Sequence, residues 1–226
     1  MRFIREIDYN KQITEKNLLE IISNDQVNRI EAENMALQQM RNYLSFKYDV
    51  VKIFAPLYDF SISLSYTEGQ RINYTEEVYD NLVSYVVGDR VSYEEKIYKC
   101  VVDSTGNLPT DESFWEYVTA DNSIYTALVD GSGNYPEDTA FWTFGDTRDP
   151  VIVTYAIDVA LYHLQRRLTP RNIPQIRIDS YDIAMNWLQG VKTGDSPIFD
   201  LPEVENEDND GIFVKIGSNA PRPQYY

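Results

Sequence analysis

A single histidine, His163, and a single cysteine, Cys100, limit the chemistry this chain can carry. One imidazole cannot supply a His pair or a multi-His metal site. One thiol cannot supply an intrachain disulfide or a Cys-based zinc site. His163 falls on an apolar helix, which predicts a satisfied core or interface side chain rather than a ligand or a base. Cys100 predicts a small buried residue. Asp103 and Asp130 have the residue type for paired acid–base work. Each opens a short Gly-containing turn, however, where an Asp side chain holds the backbone. Asn206-x-Asp208-x-Asp210-Gly211 imitates the first half of a calcium loop, but position twelve is Gly217, where a bidentate Glu is needed. The default there is a solvated acidic arm. Arg166, Arg167 and Arg171 form the one basic cluster. They fall at a helix C-terminus, where the helix dipole favours cations and a phosphate contact is the functional alternative. These residues together predict no enzyme, no metal and no cofactor.

Charge narrows the partners. The 226 residues carry a net charge of −16, and a surface of that sign repels a phosphate backbone. It would still let a duplex pass without sticking. Residues 75–149 hold 16 Asp+Glu against 4 Lys+Arg, residues 196–226 hold 6 against 2, and the rest is neutral. Three surfaces therefore share one chain. No apolar run approaches the roughly 20 residues that span a bilayer, and the opening residues lack the apolar stretch of a signal peptide. The expectation is a soluble protein made in a cytosol, with no membrane partner.

The elements that would position these residues follow from periodicity. Thr14 predicts the cap of a short helix through Leu18, Leu19 and Ile22, and Asp25 the cap of a long one over 26–47. Ser-interrupted Phe60, Ile62 and Leu64, then Gly69 and Arg71–Tyr74, predict a β-hairpin. Asp149 and Pro150 predict a central helix over 150–168, apolar except for a stripe of Thr154, Asp158 and Gln165. Asp179 predicts the cap of a last helix over 180–192, ended by Gly194. The tail predicts an extended arm whose Ile212, Val214 and Ile216 could add as a strand to a neighbour. The fold class expected is α+β: a helical bundle with a hairpin (1–80 and 148–195), a small β-rich inserted module (81–147) and an extended C-terminal arm (196–226).

Within 81–147 a repeat stands out. Tyr98, Val102, Asp103, Gly106, Asn107, Pro109, Phe114 and Trp115 recur 27 residues later as Tyr125, Val129, Asp130, Gly133, Asn134, Pro136, Phe141 and Trp142. The first copy has a longer lead, Tyr85-x-x-Gly88-Asp89-x-Val91-x-Tyr93. Residues 83–118 thereby resemble the small chitin-binding-type carbohydrate module, with a half-copy at 124–144. That resemblance implies glycan contact through Tyr93, Trp115, Tyr135 or Trp142; the structural alternative has both Trp filling tiny cores.

The helical frame is similar to the head–tail connector (adaptor) proteins of tailed bacteriophages, including the Mu-type family. The likeness rests on Ile13–Leu18 before the long helix, on Asp149, Pro150, Asp158, Tyr162 and Leu164, and on Tyr181, Ala184, Trp187, Leu188, Val191 and Gly194. It implies a virion protein that forms a ring with copies of itself, commonly a dodecamer, under the portal protein. The next tail or ring protein would lie below, and DNA would pass through without specific binding. Arg166, Arg167 and Arg171 are then candidates for a portal contact. The acidic module would face solvent, fibre proteins or surface glycan. The alternative is a glycan-binding virion appendage for host adsorption.

Overall fold

The computed structural model describes residues 2–23, 25–195 and 201–204. The calcium-loop imitation at 206–211 and the strand at 212–216 lie outside these residues. The fold is mixed α+β, with several small sheets and no barrel among the described residues.

The helices begin where short polar side chains can satisfy free backbone N–H groups. After a 3-10 turn at Glu6–Lys11, the Thr14 hydroxyl accepts from Asn17 N–H to open α1 (Glu15–Ile21). Asp25 accepts from Val27 N–H to open α2 (Gln26–Leu44), and Asp49 caps the short α3 (Val50–Ile53). Asp149 accepts from the N–H groups of Val151 and Ile152, both at 2.8 Å, and Pro150 takes the first position of α4 (Pro150–Leu168). Gly194 ends α5 (Gln175–Thr193) in the left-handed conformation at φ 85°, which costs a glycine little.

One helical expectation needs correction. α5 starts at Gln175, not after Asp179: Pro174 supplies the first helical carbonyl, and Asp179 sits inside the helix accepting from Gln175 Nε2. The narrow polar stripe of α4 lies largely inside, with Asp158 and Gln165 buried. α4 is covered nearly all round by α1, α2 and α5. Met40, Leu44, Ile152, Ile157, Leu161 and Leu188 share one core drawn from both ends of the chain. Ala36, Ala160 and Ala184 meet beside it, where small side chains let α2, α4 and α5 approach closely. Residues 201–204 lie against the same body: Asp49 N–H donates to Pro202 O, Val204 N–H to Lys47 O, and Leu201 packs on the core.

The expected hairpin at 60–74 is not a hairpin. β1 (Leu57–Asp59), β2 (Ser65–Tyr66) and β3 (Arg71–Tyr74) precede β4 (Ser84–Tyr85), β5 (Arg90–Tyr93), β6 (Lys96–Cys100), β7 (Ser104–Thr105) and β8 (Trp115–Ala120). Then come β9 (Ser123–Ala127), β10 (Gly131–Ser132) and β11 (Trp142–Phe144). β2 pairs with β10, while β3 pairs with β9 and, in parallel, with β1. β9 continues to β11. The intervening strands repeat this scheme: β4 pairs with β7, and β5, β6 and β8 form one antiparallel sheet.

The presumed half-copy is therefore a whole one. Its front half is 57–74 and its back half 123–144, and the other copy sits between them. Tyr66-x-x-Gly69-x-Arg71-Ile72-x-Tyr74 matches Tyr85-x-x-Gly88-x-Arg90-Val91-x-Tyr93 at an offset of 19 residues. We call residues 77–120 the inner module and 57–74 with 123–144 the outer module. The equivalence extends to single hydrogen bonds. Tyr85 Oη accepts from Asp80 N–H at 2.9 Å and Tyr66 Oη from Ser61 N–H at 2.8 Å. Gly88 N–H donates to Cys100 O, and Gly69 N–H to Ala127 O. Both glycines take positive φ, as this turn requires.

Candidate functional site

Trp115 and Trp142 are core residues, 2% and 4% exposed. Each indole N–H donates to the carbonyl of an equivalent Asn, Trp115 to Asn107 at 3.0 Å and Trp142 to Asn134 at 3.1 Å. Aromatic neighbours hold them: Tyr79 and Tyr85 lie edge-on to Trp115, and Phe60 and Tyr66 edge-on to Trp142. Each indole is almost wholly enclosed, Trp115 reaching the surface only at the floor of a groove. A module this small cannot build a core from aliphatic side chains alone, and aromatic rings supply the area.

The two tyrosines expected to contact glycan are half-buried. Tyr93 is edge-on to Tyr79. Tyr135 lies under the guanidinium of Arg90, which also pairs with Glu137. Its face is thus occupied by the inner module.

Different rings reach solvent. Tyr117 on β8 is 55% exposed, and Phe144 on β11, at the equivalent position, is 69% exposed. Each stands edge-on to a tyrosine of the neighbouring strand, Tyr98 at 6.1 Å and Tyr125 at 5.3 Å. The signal for these residues was in the sequence as Trp-x-Tyr and Trp-x-Phe at the repeat's end. Beside Tyr117 the inner module opens a groove of about 680 Å³.

Asp103 and Asp130 hold the backbone, as their turns predict. Asp103 accepts from Val87 N–H at 2.9 Å and Asp130 from Glu68 N–H at 2.8 Å, pinning equivalent turns. Asp111 and Asp138, a matched pair that the repeat also contains, accept from Ser113 and Ala140 N–H at 3.0 Å each. Cys100 is buried with its thiol toward Val102 O, and burial pushes its pKa up. It lacks the electropositive, accessible setting of a reactive thiol.

On the helical body His163 Nε2 meets Gln39 Oε1 at 2.8 Å, and Gln39 Nε2 reaches the Tyr181 hydroxyl at 2.8 Å. Burial, aided by nearby Arg166, holds the imidazole below its ordinary value. Arg166, Arg167 and Arg171 are all exposed; Arg167 pairs with Glu31 of α2.

Charged side chains that the sequence did not single out join the β modules to the helices. Arg148, 3% exposed, precedes α4 and binds Asp8 at 2.7 Å, Asp146 at 2.7 Å and Phe3 O at 2.6 Å. Burial opposes ionisation of both carboxylates, but the bonds and charge of Arg148 outweigh it and hold Asp8 and Asp146 below the usual range. Arg5 reaches Asn122 O and Asn73 of the outer module. Within the helical body itself, buried Arg29 pairs with the exposed Glu6 and the buried Glu33, and the Tyr9 hydroxyl donates to Glu33. Among the described residues no three His, Cys, Asp or Glu side chains converge as metal ligands would. No described helix is long and apolar enough to cross a membrane. No protein-family model, curated protein or solved structure matches the chain.

Proposed function

We propose that the chain is a structural subunit of a phage head–tail connector ring: a helical bundle carrying inserted β modules, seated below the portal, with DNA passing through unbound. One observation carries the reading most. Helices from both ends of the chain close into a single body whose core includes Ile152, Leu161, Leu188 and Met40, while the acidic modules are looped out between them. A near-neutral helical body suits side-by-side packing of copies, since like charges would otherwise oppose ring closure. It also leaves apolar side chains in solvent, among them Val27 and Met35 on α2 and Ile176 and Ile183 on α5. These are available to a neighbouring copy. The buried Arg148 cluster, with Arg5 reaching Asn73 and Asn122 O, fixes the modules' attachment to that body, which a part repeated around a ring needs.

The experiment is mass spectrometry of purified particles. The chain should be present in tail-bearing virions in an amount proportionate to the portal. Its absence from them would end the assignment.

A second reading, a glycan-binding appendage, has one observation in its favour: the exposed rings of Tyr117 and Phe144 at equivalent places in both modules. It would use these residues and not the two Trp.

A further inference from the structure

The groove on the inner module is built from unlike chemistries. Tyr98, Pro109 and Trp115 are buried and form its floor; Tyr117, Glu112 and Glu116 are exposed and form its rim, with Lys96 at one end. The outer module does not repeat the acidic rim. There Glu112 and Glu116 are replaced by Thr139 and Thr143, and the residue matching Thr110 is Glu137, already held by Arg90. The acidic rim is therefore particular to the inner module and does not follow from the repeated architecture.

A floor of rings and proline under a carboxylate rim suits one kind of occupant: an extended, proline-bearing segment with a cationic side chain. Ring faces pack on proline, and carboxylates pair with the cation. A neutral sugar could stack on the rings and donate its hydroxyls to the carboxylates, but it would make no use of their charge. The chain itself contains such a segment. Residues 220–226 read Ala-Pro-Arg-Pro-Gln-Tyr-Tyr, and residues 211–226 contain Lys215 and Arg222 but no acid. The groove lies in the most acidic stretch of the protein, with 16 Asp+Glu against 4 Lys+Arg over 75–149. From Val204, anchored at Lys47, the remaining residues could span up to roughly 70 Å if extended. That exceeds the roughly 30 Å across a small domain.

We propose that Pro221-Arg222-Pro223 docks in the inner-module groove, with Arg222 on Glu112 or Glu116 and a proline against Tyr117. The donor is the same chain or a neighbouring copy. The inference rests on the groove and the tail alone and does not require the ring.

The test is a benzophenone photocrosslinker at Gln224 of the full chain, with products mapped by mass spectrometry. Crosslinks should fall in peptides spanning 96–117. Tyr117→Ala, and separately Glu112→Gln with Glu116→Gln, should each weaken capture by about tenfold, the equivalent of one charge-assisted contact. All three side chains are exposed, so the variants keep the fold, which circular dichroism verifies. Mixing isotopically heavy and light copies tells a tail held by its own chain from one held by a neighbour; either result supports docking. Crosslinks elsewhere, or groove crosslinks unchanged in both variants, overturn it. So does an added oligosaccharide that protects the groove while the tail crosslinks to other surfaces.

Discussion

The guanidinium of Arg90 lies 3.3 Å from the centroid of the Tyr135 ring, so a side chain of the inner module covers an aromatic face of the outer one. The same guanidinium pairs with Glu137 and donates to Gly88 O at 3.0 Å. Two copies of one fold, one nested inside the other, are clamped at this point as well as along the chain.

The clamp has a measurable strength. Arg90→Ala and Tyr135→Ala should show a coupling of about 1–2 kcal/mol in a double-mutant cycle, the range of a partly desolvated cation–π contact. Urea denaturation of the four proteins measures it. Additive effects would mean that the two side chains are neighbours without being partners.

Arg148 should matter more. Replacing it by Ala leaves Asp8 buried and without its main partner, which costs about 3–5 kcal/mol. The pH dependence has a definite sign. Asp8 and Asp146 are held below their ordinary 3.8, so their contribution is complete above about pH 4 and is lost as pH falls through the lowered values. Urea midpoints between pH 7 and pH 3 should show that loss in the parent chain and a flatter profile in Arg148→Ala.

The nesting predicts that the inner module can be excised with the outer one still closing, at the cost of the side chains it lends. Tyr74 pairs with Ser123, as Tyr93 pairs with Lys96 across Glu94 and Glu95, which take positive φ. Replacing residues 75–122 by Asn-Gly should close the outer module with a two-residue turn that favours such angles. The shortened chain should remain cooperative on heating but lose about 3–5 kcal/mol, because Ile97 is buried in the outer module's core and Arg90, Thr119 and Asn122 also hold it. Loss of the folded outer module in its proton NMR spectrum would mean that the copies are not independent units.

His163 supplies a single-site titration. Its imidazole is held below the ordinary 6.5 by burial and then by Arg166. Protonation therefore favours the unfolded chain, and stability falls as pH drops from 6.5 through the lowered value. His163→Gln removes this term. Between pH 7.5 and 5.5 the parent should lose stability relative to the variant; parallel profiles would show that the ring is freely solvated.

Much of the helical frame could be read from capping chemistry. Thr14, Asp25, Asp149 with Pro150, and Gly194 all sit where the structure uses them. The start of α5 was missed because Pro174 caps without a side chain, leaving only Asp179 as a visible signal. The front half of the outer module was missed for a different reason. Nesting puts front halves 19 residues apart and back halves 27 apart, so no fixed period exposes both, and Phe60–Tyr74 alternates as a hairpin would. The expected binding aromatics misled because burial, and not residue type, decides whether a ring can bind. Trp115 and Trp142 are what these tiny cores are built around. The buried charges Arg148 and Asp8 carry no sequence signal, since nothing in a linear pattern tells a paired buried Arg from a surface one.

The ring assignment is tested most directly by electron microscopy, with native mass measurement, of the purified chain mixed with the portal of the same particle. It should assemble side by side through α2 and α5 into a closed ring stacked on the portal, its acidic modules standing clear of the helical contacts. A chain that stays monomeric beside an assembled portal, or that joins through its β modules while the helical faces remain in solvent, would contradict the account.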